Sequence, residues 1–176
     1  MTASSSSTNL ATQHIPKGFE KHTFERTFRI PRPRQEVWNL LTNPKTFTTG
    51  QLFPYRVEFV DDSGSKGAGF KYGTQTLHHG PLINFAGVIG EVRDQEYRDL
   101  QYYYGSYIFS LRLLRPTRLE FYFSAPSSST TLVTLRVSSL IRRPFGPIWS
   151  AIQVLFWSQF GWNIRIWMAA LKLFKR

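Results

Sequence analysis

The sequence predicts an α+β fold: a curved antiparallel sheet of six or seven strands with one long C-terminal helix. Three observations carry that prediction. Apolar residues recur at period two in several short segments separated by turn residues. A single short helical pattern follows the first of these segments, and from Pro147 to Arg176 the pattern turns helical without a break. The 176 residues suffice for one compact domain with a full core.

In the first strand, from Phe19 to Ile30, His22, Phe24, Arg26, Phe28 and Ile30 share one face, and Thr23, Glu25, Thr27 and Arg29 the other. Pro31 ends the strand, and Pro33 suits the first turn of a helix, where its missing N–H is not needed. That helix runs Gln35 to Leu41, with Val37, Leu40 and Leu41 at helical spacing and Trp38 widening the stripe. Asn43-Pro44 stops it, because the residue before proline avoids the helical region.

Tyr55, Val57 and Phe59 alternate in a second strand, and Asp61 to Gly64 with Gly67 to Gly69 form a polar loop. A third strand is read from Phe70 to His78 and a fourth from Phe85 to Val92, with Gly87 and Gly90 allowing close approach or bending. Arg93 to Asp99 is read as a charged turn leading to a Tyr102-Tyr103-Tyr104 strand. Tyr107 to Pro116 fits strand, helix or lid-like loop equally well. Leu119, Phe121 and Phe123 then alternate with Glu120 and Tyr122, a loop covers Ala125 to Thr130, and a last strand spans Leu132 to Ile141.

In the final helix, one apolar stripe runs through Ile148, Ile152, Leu155, Trp162, Ile166 and Leu173. A second runs through Trp149, Phe156, Phe160, Trp167 and Leu171, so the apolar arc exceeds what an ordinary surface helix needs. Residues 1–17 read as a disordered serine-rich tail and 18–176 as a single domain. The tail has neither the apolar stretch of a secretory signal nor the arginines of a mitochondrial presequence, so the expected location is cytoplasmic.

Composition narrows the chemistry. With 41% apolar and 19% charged residues the chain is not a disordered polycation. With no cysteine it has no disulfide, thiol nucleophile or thiolate metal site. His78 and His79 are adjacent on a strand and point to opposite faces, so no metal and no cofactor are expected. Gly67-Ala68-Gly69 lacks the third glycine and the following helix of a dinucleotide loop, and reads as a turn. Glu58, Glu91 and Glu120 alternate with inward apolar residues, which puts them on the solvent face.

Phe28-Arg29-Ile30-Pro31-Arg32-Pro33-Arg34-Gln35-Glu36-Val37-Trp38 resembles the first strand and Pro-x-x-x-Val-Trp helix of the SRPBCC or START-like helix-grip superfamily. That superfamily includes birch-pollen-allergen-like proteins and polyketide cyclases. Asn43-Pro44, Gly87 to Val92 followed by Arg98-Asp99-Leu100, and Thr130 to Thr134 fall on further family patterns, and the resemblance spans Phe19 to Arg176. It departs at Arg32, where a serine N-cap is usual, and in the final helix, which holds four of the five tryptophans.

The resemblance implies a helix-grip fold and a cavity between sheet and helix for a hydrophobic small molecule or lipid, carried or sensed. The alternative is a cyclase- or hydrolase-type enzyme acting on a hydrophobic substrate in the same cavity, with a buried polar residue of strongly shifted pKa. No catalytic residue is assigned, and binding is favoured over catalysis. Inward alternation and helical spacing give the expected lining: Tyr55, Val57, Phe59, Tyr72, Tyr102, Phe121 and Phe123 from strands, and Ile152, Phe156, Phe160 and Trp167 from the helix.

The net charge of +11 is uneven: from Leu100 onward there are ten Lys/Arg and a single acid, Glu120. These cations accompany a Trp-rich helix, a pattern that suits an anionic membrane surface better than nucleic acid. Arg142, Arg143, Trp149, Trp157, Lys172, Lys175 and Arg176 are the expected membrane contacts. Ser150, Gln153, Ser158, Gln159 and Asn163 argue against the helix spanning a bilayer, and its surplus apolar surface also suits a homodimer.

Overall fold

The computed structural model describes residues 14–49, 56–60, 69–80, 83–103, 106–108 and 112–174. The first part of the serine-rich tail, the loop from Asp61 to Ala68, Tyr55, Tyr104, Lys175 and Arg176 lie outside the described residues. Strand β1 (Phe19–Ile30) leads into α1 (Arg34–Leu41) and α2 (Pro44–Thr49). The sheet continues with β2 (Arg56–Val60), β3 (Gln75–Gly80), β4 (Ile83–Arg93), β5 (Tyr97–Tyr102) and the two-residue β6 (Tyr107–Ile108). It ends with the long hairpin of β7 (Leu114–Ser127) and β8 (Thr130–Arg142). A 3-10 turn over Arg143–Phe145 then starts α3 (Gly146–Phe174).

Seven strands form one antiparallel path in the order β1-β8-β7-β5-β4-β3-β2, with β6 bridging β4 and β7 off it. Inward residues therefore stand in rows across the strands. One row runs Arg98, Phe121, Leu135, Arg26; the next runs Ile89, Leu100, Leu119, Val137, Phe24. Phe28, Ile30, Val37, Trp38, Leu41, Phe121, Phe123, Val133, Leu135, Ile164 and Met168 pack in the main core. A second cluster of Phe59, Phe85, Ile89, Leu100 and Tyr102 covers the β2–β5 half.

Several boundaries differ from the sequence expectation. Asn43-Pro44 does stop α1, but it also starts α2: the Asn43 side chain accepts a hydrogen bond from the Lys45 N–H at 3.0 Å, and Pro44 occupies the first helical position. The segment read as a charged turn narrows to Asp94–Glu96, and Tyr97, Arg98 and Asp99 are buried strand residues. The third strand begins at Gln75 rather than Phe70, and β7 runs from Leu114 through the expected loop to Ser127. At the start of α1 the cap position falls on Pro33. Arg32 serves the packing instead: its Nη2 donates to the Met168 carbonyl at 3.0 Å, tying α1's approach to α3.

Helix α3 lies along β1 through a series of such ties. His22 Nε2 meets Ser150 Oγ at 2.9 Å, and Arg26 donates to the Val154 carbonyl at 3.2 Å and to Ser158 Oγ. Opposite Phe28 the helix carries Gly161, where a Cβ would stand 2.3 Å from the Phe28 ring. The buried stripe of α3 is Trp149, Gln153, Gly161, Ile164 and Met168, with Trp157 and Phe160 half-buried beside it. Of the two stripes read from hydropathy, the first is outward: Ile148, Ile152, Leu155, Trp162 and Ile166 are exposed, Leu155 by 72%. Among the described residues no helix is long and apolar enough to cross a membrane.

Candidate ligand-binding site

The inner face of β2–β5 is aromatic because the period-two alternation of four short strands points one residue in two toward α2 and α3. Phe59, Thr76, Gly87 and Tyr102 form one row and Val57, His78 and Phe85 the next. Gly87 is required in its row: a Cβ there would lie 2.5 Å from the Gln101 carbonyl oxygen and 3.1 Å from the Tyr102 ring. His78 stacks on Phe85 with centroids 4.4 Å apart and meets Tyr102 edge-on at 5.8 Å.

From α2, Phe47 descends onto this face and joins both halves of the core. Its ring lies 6.2 Å from Phe59, 5.9 Å from Phe70 and 6.3 Å from Phe160 of α3, the last nearly parallel. Beside this cluster, an open groove of about 310 Å3 is lined by Asn43, Pro44, Lys45, Thr48, Val57, Glu58 and Phe59. Phe59 thus belongs to both the groove wall and the aromatic cluster.

Buried polar atoms punctuate this apolar wall. Thr76 is fully buried and its Oγ1 has no hydrogen-bond partner. Arg98 is 1% exposed, and its guanidinium carbon lies 4.1 Å from the Phe121 ring centroid, 4.3 Å from Phe70 and 5.2 Å from Phe47. Burial lowers the Arg98 pKa to about 9, opposed by Tyr102 and Asp99, so the side chain stays charged at neutral pH. Burial also drives His78 down to about 3, helped by neighbouring His79, so its ring is neutral in the folded protein.

That shift makes folding acid-sensitive. The unfolded chain binds a proton on His78 below the ordinary histidine value of 6.5, and the folded chain does so only near 3. The contribution of the neutral ring is therefore complete above pH 6.5 and is lost as the pH falls toward 3. By pH 5 the loss is about 2 kcal/mol. Urea unfolding at pH 7.5 and 5 should show that extra drop in the parent protein and not in His78→Phe. The difference between the two isolates His78 from His22, which burial shifts in the same direction. Equal pH dependence in both proteins would refute the assignment.

The expected lining residues divide. Phe59, Tyr102, Phe121 and Phe123 are buried on the inner face, Val57 stands half-buried in the groove wall, and Phe160 and Trp167 are half-buried on α3. Tyr72 is 66% exposed, since it precedes β3 rather than lying in it, and Phe156 and Ile152 are exposed because the buried stripe of α3 is the adjacent one. Tyr55 lies outside the described residues. Phe47, Phe70, Thr76 and Arg98 were not expected here. Period two read backward from Tyr102 through Leu100 would have found Arg98, had the stretch not been taken for a turn.

Of the expected membrane contacts, Arg142 and Arg143 are exposed. Trp149 is 6% exposed, packed with Leu114 and Ile141 because it lies on the buried stripe. Trp157 is half-buried and donates its indole N–H to Gln153. Lys172 belongs to α3, and Lys175 and Arg176 lie outside the described residues.

The carboxylates have their own arrangement on the outer face. Glu91 is exposed, as alternation predicts, and Glu58 is half-buried at the groove. Glu120 points outward but is buried, a departure from expectation. Tyr97 and Tyr122 donate to its Oε1 at 3.0 and 2.9 Å, and these rings and Arg118 cover it. Arg118 Nε donates to Asp99 Oδ2 at 2.6 Å, and burial and these carboxylates push the Tyr97 pKa above its usual range. This network faces away from α3 and leaves Asp99 Oδ1 buried without a hydrogen-bond partner.

No family profile matches the sequence, and no curated protein matches it at the sequence level. Solved structures do match the fold. Norcoclaurine synthase from Thalictrum flavum, solved with dopamine and hydroxybenzaldehyde, matches with a TM-score of 0.60 at 12% identity, over 88% of this chain and 89% of that one. The Aha1 dimer from Colwellia psychrerythraea matches with a TM-score of 0.55 at 8% identity, over 82% and 97%. The Zhui aromatase/cyclase from Streptomyces sp. R1128 matches with a TM-score of 0.51 at 12% identity, over 70% of each chain. With a seven-strand antiparallel path and one long C-terminal helix packed on it, the chain has the helix-grip α+β fold of these structures, the fold that the sequence resemblance implied.

Proposed function

We propose that this domain binds a hydrophobic small molecule on the aromatic inner face of β2–β5, reached through the groove between α2 and β2. The observation that carries this reading is the continuity of groove and cluster: Phe59 lines the groove and packs its ring 5.4 Å from Phe70 and 6.2 Å from Phe47. Rings presented beside an open groove suit an apolar ligand, and few polar atoms are needed to orient it. Norcoclaurine synthase holding two small aromatic molecules on the same fold supports the reading by analogy.

His78 and Arg98 are buried polar groups of strongly shifted pKa, as the catalytic alternative expects, but the direction of their shifts favours binding. A histidine held neutral down to about pH 3 is a weak base at neutral pH, and a guanidinium with a pKa near 9 gives up its proton slowly there. Native mass spectrometry before and after organic extraction tests the reading. The expected result is a retained small-molecule mass that extraction removes, or uptake of 1-anilinonaphthalene-8-sulfonate by the extracted protein. A chain that carries nothing and takes up no apolar probe contradicts it.

A second, compatible reading is contact with an anionic membrane surface. It is favoured by the outward stripe of α3, where Ile148, Ile152, Leu155, Trp162 and Ile166 are exposed over about 27 Å of helix. Exposed Arg142 and Arg143 stand at the start of this stripe and Arg165 near its far end, so the charge suits an acidic bilayer. Sedimentation with phosphatidylserine vesicles should carry the protein down at low salt and release it at high salt. Equal sedimentation with neutral phosphatidylcholine vesicles, or none with either, contradicts this reading.

A further inference from the structure

We propose that the bound molecule is an acid: an apolar or aromatic body ending in a carboxylate, whose oxygens accept hydrogen bonds from Nε and Nη2 of Arg98. This inference rests on the ligand-binding reading above and names the substrate class of the same site. It starts from an unbalanced group. Arg98 has the largest of the fully buried side chains, and neither its Nε nor its Nη2 has a hydrogen-bond partner. Leaving such donors unsatisfied is costly, and a buried guanidinium is ordinarily matched by a carboxylate. Asp99 is not that match: it follows Arg98 on β5, so it points to the outer face, where Arg118 and Gln101 donate to it.

The rings around Arg98 stabilise its charge but cannot accept its N–H groups in the guanidinium plane. What remains open is one edge of the fork, Nε and Nη2, whose parallel N–H vectors match the two oxygens of a carboxylate. The surroundings favour a single negative charge. A phosphate monoester carries about two charges at neutral pH, and the other cation in this row, Arg26, is already engaged with α3. An apolar acid also satisfies the aromatic wall that a free inorganic anion would leave bare.

Access fits the same picture. Of the three rings over the guanidinium, Phe121 belongs to the long strand β7 and forms fixed wall. Phe47 sits on the six-residue α2, and Phe70 precedes β3, outside regular strand. Both touch Phe59 of the groove wall, so displacing these two rings joins the groove to Arg98.

The test uses two matched pairs of probes and the full chain: 1-naphthaleneacetate against 1-naphthaleneacetamide, and decanoate against decanol, titrated calorimetrically at pH 7.5. The expected result is about tenfold tighter binding of each acid than of its neutral partner. In Arg98→Met that preference should vanish, each acid and its neutral partner then binding equally. Equal binding of acid and neutral probe to the parent protein overturns the inference and leaves the ligand-binding reading standing. A preference that survives in Arg98→Met places the anion elsewhere and also overturns it. Failure of all four probes to bind removes the ligand-binding reading and this inference together. The comparison in the parent protein needs no variant, so it decides the matter even if Arg98→Met does not fold.

Discussion

Phe121→Ala is expected to lower folding stability by about 3–5 kcal/mol, read as a shift of the urea midpoint at constant slope. The side chain is fully buried where the two halves of the core meet. Its ring lies 6.1 Å from Phe160 of α3 and 4.1 Å from the Arg98 guanidinium, and its row neighbours are Arg98 and Leu135. Truncation removes the transfer energy of a whole ring and leaves a void that strands on both sides cannot close. It also strips Arg98 of its nearest aromatic face, adding an electrostatic cost. A loss below about 1 kcal/mol would mean that this site collapses freely, contrary to the packing described.

Gly161→Leu is expected to cost about 3 kcal/mol, near the upper end for forcing atoms into a packed core. The ideal Cβ would fall 2.3 Å from Phe28 Cε1 and 2.4 Å from Phe28 Cδ1, and leucine adds three more carbons along the same line. Leucine's better helix propensity returns only about 0.8–1 kcal/mol of this. Thermal unfolding measures the loss, and Phe28→Ala in the Gly161→Leu background should recover part of it. Additive losses in the double variant would show that the helix does not rest on β1 at this point.

These two positions also explain what the sequence made legible. The strong alternation of β1 and β8 and the stop of α1 at Asn43-Pro44 were readable because each signal is local. The order of elements followed, and with it the fold. Gly161 shows why the buried side of α3 was not readable. The face that touches the sheet includes a glycine and Gln153, which hydropathy scores as poor, and the outward face is the richer in isoleucine. Closeness of packing, set by Phe28 across a distance of more than a hundred residues, outweighed hydropathy there. Phe59 was found because Val57 and Phe59 alternate with Arg56 and Glu58. Arg98 was missed because a charged residue flanked by Tyr97 and Asp99 has the composition of a turn, and only its pairing with Phe121 makes it an interior residue. Phe47 was missed because six residues are too few to display a helical period.

The pairing of β1 has a consequence for the chain as it is being made. Its partner is β8, in register from Phe19 opposite Arg142 to Ile30 opposite Thr131, so about a hundred residues separate the two. At about 5–20 residues per second on the ribosome, β1 waits on the order of 5–20 seconds before the strand that will shelter it has been synthesised. During that interval Phe24, Phe28 and Ile30 have no sheet to join. Glu20 and Lys21 before them, and Glu25 and Arg29 between them, keep the nascent strand hydrated until its partner emerges.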